Sequence, residues 1–128
     1  MAETILSSIS ENIIVDSAGI SPYLKSSMDE RSINYLFDIG IEYKIHTPKK
    51  ISINLIKDFD IIIAMDNIVL SELRKNFPKY IKKFRLFSAV KSNERILDPY
   101  KFKSLNEYNE IMKKINFMTH LWKKKIDA

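Results

Sequence analysis

The chain has 128 residues, 45% hydrophobic and 29% charged, with a formal net charge of +5 and no cysteine. That length points to one domain able to bury roughly two-thirds of its unfolded surface, and the zero cysteine count excludes disulfides, thiolate metal sites and thiol chemistry within these residues. No apolar run approaches the ~20 residues that span a bilayer, and no basic region followed by an apolar stretch opens the chain, so a cytoplasmic setting is the default expectation.

In chain order, Ile5, Leu6 and Ile9 share one side of a predicted helix that opens at Met1. Ile13-Ile14-Val15 is a β-branched run suited to a strand, and a polar loop follows from Asp16 to Ser27. Ser27 and Glu30 have capping-box spacing. The helix they open carries Ile33, Leu36 and Phe37 and is expected to stop at Gly40. Ile41 to Ile45 alternates apolar and polar, as a short strand or extended link does. Ser52 is a candidate cap for a short helix bearing Leu55, Ile56 and Phe59.

Ile61 to Met65 is apolar throughout and is predicted to be a central strand buried on both faces. Asp66 stands where an N-cap belongs, ahead of Val69, Leu70, Leu73 and Phe77, and Pro78 ends that helix. Phe84 to Phe87 reads as a further strand. Ser104 and Glu107 open the longest predicted helix, to about Lys123, with an apolar stripe of Leu105, Tyr108, Met112, Ile115, Thr119 and Trp122 and with Ile111 and Met118 beside it. Alternating helices and strands imply an α/β fold built on a parallel sheet with helices on both faces.

The positive charge invites a nucleic-acid reading. Lysine supplies 17 of the 21 basic residues, and isoleucine and asparagine are also abundant. All three have AT-rich codons, so base composition alone can produce this charge. The dense basic runs, Lys82-Lys83 to Arg85 and Lys123-Lys124-Lys125, read as solvated surface.

The residues open to chemistry each have an ordinary reading. Asp98, between Leu97 and Pro99, reads as a turn aspartate. Ser17 reads as a loop-capping hydroxyl, His46 as a structural histidine, and Tyr23 and Tyr100 as surface packing. Arg31, Arg74, Arg85 and Arg95 are preceded by no cysteine.

Taken together, Leu97-Asp98-Pro99-Tyr100, Val15-Asp16-Ser17-Ala18-Gly19, the opening Met1-Ala2-Glu3, Met28-Asp29-Glu30-Arg31-Ser32 and Ile63-Ala64-Met65-Asp66 resemble the low-molecular-weight protein tyrosine phosphatases from Met1 to about Trp122. The resemblance implies a doubly wound parallel sheet of the phosphotyrosine protein phosphatase I type. It implies a general acid at Asp98, which protonates the leaving oxygen after a cysteine thiolate attacks phosphorus and then activates water against the phosphocysteine. It further implies aromatic walls for the substrate ring at Tyr23 and Tyr100, and a bracing network that includes Ser17 and His46. No metal or cofactor is implied. The implied substrate of an intact form is a phosphotyrosine protein or a small phosphomonoester.

The departures are as telling. Lys101 and Phe102 replace the family's tyrosine and glycine after Asp-Pro-Tyr, and Pro22-Tyr23-Leu24 replaces a Gly-Tyr-His loop. The family's first, central strand and its Cys-x5-Arg phosphate loop have no counterpart, so the expectation is a truncated, inactive phosphatase domain over residues 1–128. A misassigned internal start or a split gene would produce this beginning. The alternatives are a non-catalytic phosphatase-like binding module and a basic nucleic-acid-binding α/β domain. The cysteine-dependent arsenate-reductase branch is disfavoured. Neither membrane nor nucleic-acid partners are expected, and self-association through exposed strand edges is expected instead.

Overall fold

The computed structural model describes residues 1–20, 29–42, 49–91 and 104–127. Its helices are α1 (Ala2–Ile9), α2 (Glu30–Asp38), α3 (Ile53–Asp58), α4 (Asn67–Asn76) and α5 (Leu105–Asp127), and its strands are β1 (Ile62–Ala64) and β2 (Phe84–Leu86). The strands pair in parallel, with Ile62 opposite Phe84, Ile63 opposite Arg85 and Ala64 opposite Leu86.

Local chemistry sets most of these boundaries. Ser52 accepts from the Leu55 N–H at 3.3 Å and Asp66 from the Val69 N–H at 2.8 Å, each satisfying a donor that the first helical turn leaves orphaned. Ser104 accepts from the Glu107 N–H at 3.4 Å. At the entry of α2 the cap is Asp29, not Ser27, whose position lies outside the described residues; Asp29 accepts from the Arg31 N–H. Gly40 follows α2 at φ 81°, the left-handed terminator expected there. Pro78 stands past the end of α4 and opens a 3-10 segment over Pro78–Lys83. The basic run beyond it is partly structural. The Lys83 ammonium donates to the carbonyls of Ile56 and Phe59, both at 2.9 Å, and so closes the C-terminal end of α3.

The core forms two clusters, one on each side of the sheet. Ile5 of α1, Tyr35 and Leu36 of α2, Phe87, and Tyr108, Met112, Ile115, Met118 and Trp122 of α5 make the larger. Ile56 of α3, Ala64 of β1, Leu70 and Leu73 of α4 and Phe84 of β2 make the smaller. Helices on both faces of a parallel pair give the doubly wound arrangement.

Several expectations need correction. Leu105 is 58% exposed, because the apolar stripe of α5 reaches the core only from Tyr108 onward. Phe37 is 81% exposed; α2 buries Ser32, Tyr35 and Leu36 instead. Phe87 begins a 3-10 turn over Phe87–Val90 and is not the last residue of β2. Ile13-Ile14-Val15 is not a strand, although alternate residues are turned to solvent as in one, with Ile14 87% exposed. The run Ile61 to Met65 is a strand only over Ile62–Ala64 and is not fully buried. Ile61 and Met65 are 41% and 39% exposed, and only Ala64 is fully enclosed. These last two departures share one cause. Among the described residues β1 has a partner on one edge only, and the segment 13–18 has none until Gly19, which bridges in parallel to Lys50. A β-branched run becomes a strand only when a ladder partner is present.

Candidate functional site: a groove beside Ser17

Between the segment 13–18 and β1 lies a groove of about 910 Å³. Phe87, Trp122 and Ile126 face it from the side of the larger cluster, and Ile51, Val69 and Leu73 from the side of the smaller. Trp122 is anchored there by its indole N–H, which donates to the Phe87 carbonyl at 2.6 Å. The charged side chains among its described lining residues are Glu3, Asp16, Asp58 and Asp60. The acidic side chains of this lining contrast with the chain's net charge of +5.

Ser17 stands on the wall of the groove. Its hydroxyl donates to the Glu3 Oε2 at 2.6 Å, tying the loop to the first turn of α1. Its N–H donates to the Asp16 Oδ1 at 2.9 Å. Asp16 is itself ion-paired with Lys49, and the backbone of Gly19 bonds on both sides of Lys50, to the Lys49 carbonyl and from the Ile51 N–H, each at 2.9 Å. These contacts tie the loop from Asp16 to Gly19 to α1 and to the segment 49–51 at the groove's rim. Asp98, Tyr23, Tyr100 and His46 lie outside the described residues, so Ser17 is the one predicted site residue whose surroundings can be stated. Glu3 as the partner of Ser17 was not legible in sequence, since fourteen positions separate them and neither residue type signals the other.

A second polar cluster, also unforeseen, joins α2 to α5. The Arg31 guanidinium lies 4.0 Å from the centre of the Tyr108 ring, and the buried Tyr108 hydroxyl is hydrogen-bonded to Ser32. Arg31 is also bonded to Asp29, which it holds below the usual carboxylate range against the opposing effect of partial burial. Burial raises the neighbouring Tyr35 phenol above its ordinary value, partly offset by Lys113. Among the described residues no group of three His, Cys, Asp or Glu side chains is placed to hold a metal ion, and no helix is long and apolar enough to cross a membrane.

A family model described as low molecular weight phosphotyrosine protein phosphatase matches residues 1–128. The low molecular weight protein-tyrosine-phosphatase Ptp of Acinetobacter johnsonii is 33% identical over 101 residues, covering 78% of this chain and 70% of that protein. The corresponding phosphatase Wzb of Salmonella typhi is 23% identical over 127 residues, covering 99% and 85%. Among solved structures, the tyrosine phosphatase Wzb from Escherichia coli K30 in complex with sulphate superimposes with a TM-score of 0.88 at 22% identity, covering 98% of this chain and 87% of that one. A YwlE arginine phosphatase superimposes equally well, at 0.88 and 20% identity over 99% and 86%, so the shared fold does not by itself fix a substrate. The match over the whole chain, with the shared fold, shows that the chain belongs to the low-molecular-weight phosphotyrosine protein phosphatase family.

Proposed function

We propose that this chain is the acid-bearing scaffold of a phosphomonoester hydrolase and that the 128-residue polypeptide alone does not turn over phosphotyrosine. One observation carries the proposal: the resemblance implies chemistry through a phosphocysteine, and these 128 residues contain no cysteine. In this reading Asp98 is the general acid and base, Tyr23 and Tyr100 flank the aromatic ring of the substrate, and Ser17 and His46 brace the phosphate-binding loop of an intact form. The Ser17–Glu3 bond supports the bracing role, since it fixes the hydroxyl at the groove's edge. The setting proposed is the cytoplasm and the substrate a phosphotyrosine protein or a small phosphomonoester. A general acid typically supplies about 10²–10⁴-fold, far short of what phosphoester hydrolysis needs without a nucleophile.

The test is an assay of the purified chain with para-nitrophenyl phosphate and a phosphotyrosine peptide. The expected result is background release. Clear turnover that Asp98→Asn abolishes would overturn the proposal. A second reading, a non-catalytic phosphatase-like binding module, draws support from the open apolar groove beside Ser17.

A further inference from the structure

We infer that the surface made by the last turn of α4, the 3-10 segment over Pro78–Lys83 and Arg85 docks an acidic segment of another protein, with several Asp or Glu side chains around one aliphatic residue. The inference goes beyond the phosphatase reading and is read out by binding, not by activity.

Charge is the first support. Residues 74–85 hold six of the chain's 21 basic side chains, Arg74, Lys75, Lys79, Lys82, Lys83 and Arg85, and none of its 16 Asp and Glu side chains. Without these twelve residues the net charge of +5 would be slightly negative. AT-rich codons scatter lysine along a chain; they do not gather the whole positive excess into one stretch. The fold keeps the cluster together. α4 leaves the C-terminal end of β1, and the 3-10 segment delivers the chain to the start of β2, so the cluster lies at the N-terminal end of the parallel pair. Open α/β sheets take their ligands at the opposite end, beyond the carboxyl ends of the strands.

Availability is the second support. Arg74, Lys75, Lys79 and Lys82 are exposed and have no ion-pair partner among the described residues. Arg85 is exposed too, and its guanidinium donates to the Lys82 and Phe84 carbonyls at 2.6 and 2.9 Å, which draws its charge onto the turn that carries Lys82. Glu72 on α4 accepts from Asn76 at 3.5 Å and pairs with none of these cations; nor do Asp58 and Asp60, which flank the Phe59 carbonyl that holds Lys83. Cations crowded without a counter-charge repel one another, and a carboxylate-bearing segment relieves that repulsion as it adds attraction.

Apolar contacts select among anionic partners. Ile81 stands between Lys79 and Lys82 and is 45% exposed, a hydrocarbon contact flanked by ammonium groups that a protein side chain can cover. A single-stranded nucleic acid needs open aromatic faces. Phe77 and Tyr80 are packed against the smaller core cluster, and the Lys83 ammonium lies 5.6 Å from the centre of the Tyr80 ring. A bilayer surface takes a broad apolar face, and within residues 74–85 Ile81 is the one large hydrophobic side chain so exposed.

The probe is a fluorescein-labelled peptide, Asp-Glu-Glu-Leu-Glu-Asp-Glu, titrated with the full chain and followed by fluorescence anisotropy. The expected result is saturable binding that weakens about tenfold from low to physiological salt. The triple variant Lys75→Gln, Lys79→Gln, Lys82→Gln should weaken it about tenfold at low salt, and Ile81→Ser about threefold. Lys83 and Arg85 stay in place, because each is bonded to backbone carbonyls. A second triple variant, Lys123→Gln, Lys124→Gln, Lys125→Gln, removes the same charge from the other basic run and should change the affinity less than about twofold. Absent or salt-independent binding would overturn the inference. Equal weakening by the two triple variants would also overturn it, since net charge alone would then hold the peptide. So would an unstructured RNA or phosphatidylglycerol vesicles that bind more tightly than the peptide and are lost in the first triple variant, since the occupant would then be a nucleic acid or a membrane.

Discussion

At the scale of single residues, Asp29 is a cap whose worth can be switched with pH. Its Oδ1 accepts from the Arg31 N–H at 2.8 Å and from the guanidinium at 3.2 Å, and its Oδ2 accepts a second guanidinium bond at 2.9 Å. Arg31 therefore depresses the carboxyl's ionisation below that of an unfolded aspartate, near 3.9. A group depressed on folding adds stability that is complete above its unfolded value and disappears as pH falls through its folded value. Asp29→Ala should cost about 1 kcal/mol at neutral pH, and the gap to the parent chain should close below about pH 4. Urea denaturation of both proteins between pH 2.5 and 7 checks this, and a gap constant across that range would show that the carboxylate charge is not what caps α2. The caps at Ser52 and Asp66 were legible in sequence, because a side-chain oxygen three residues ahead of an orphaned N–H is a local signal. Asp29 is less legible, because Ser27 and Glu30 offer the conventional capping-box spacing. The Ser17–Glu3 bond was not legible at all, being a product of tertiary placement.

At the scale of elements, α5 was the easiest to read. Its 23 residues bury Tyr108, Ile111, Met112, Ile115, Met118, Thr119 and Trp122, and that helical spacing survives any error in the surrounding fold. Met112 is fully enclosed and Leu105 is 58% exposed. Met112→Ala should therefore destabilise by about 2–5 kcal/mol, whereas Leu105→Ala should stay within about 0.5 kcal/mol. Guanidinium midpoints of the two variants measure the contrast, and comparable losses would mean that Leu105 is covered in solution. Strands were harder. Ile13–Val15 and Ile61–Met65 carry strong β-forming residues, yet among the described residues the first has no ladder partner and the second shortens to Ile62–Ala64. Strand character depends on a neighbour that sequence pattern does not display. Of the candidate site, the Val15 to Gly19 motif was legible as a motif and Ser17 lines the groove, bonded to Glu3; the motifs around Asp98, Tyr23, Tyr100 and His46 lie outside the described residues.

For the whole molecule, the open groove between the two core clusters bears directly on stability. A domain retains only about 5–15 kcal/mol, and each buried backbone group left unpaired costs about 1–3 kcal/mol. Among the described residues, Ile13–Val15 has no ladder partner and β1 is paired along one edge only, and Ile14, Ile61 and Met65 are exposed, so the chain should melt broadly and associate as its concentration rises. Calorimetry across a tenfold concentration series, with light scattering, tests this, and a sharp, concentration-independent melt of a monomer would contradict it.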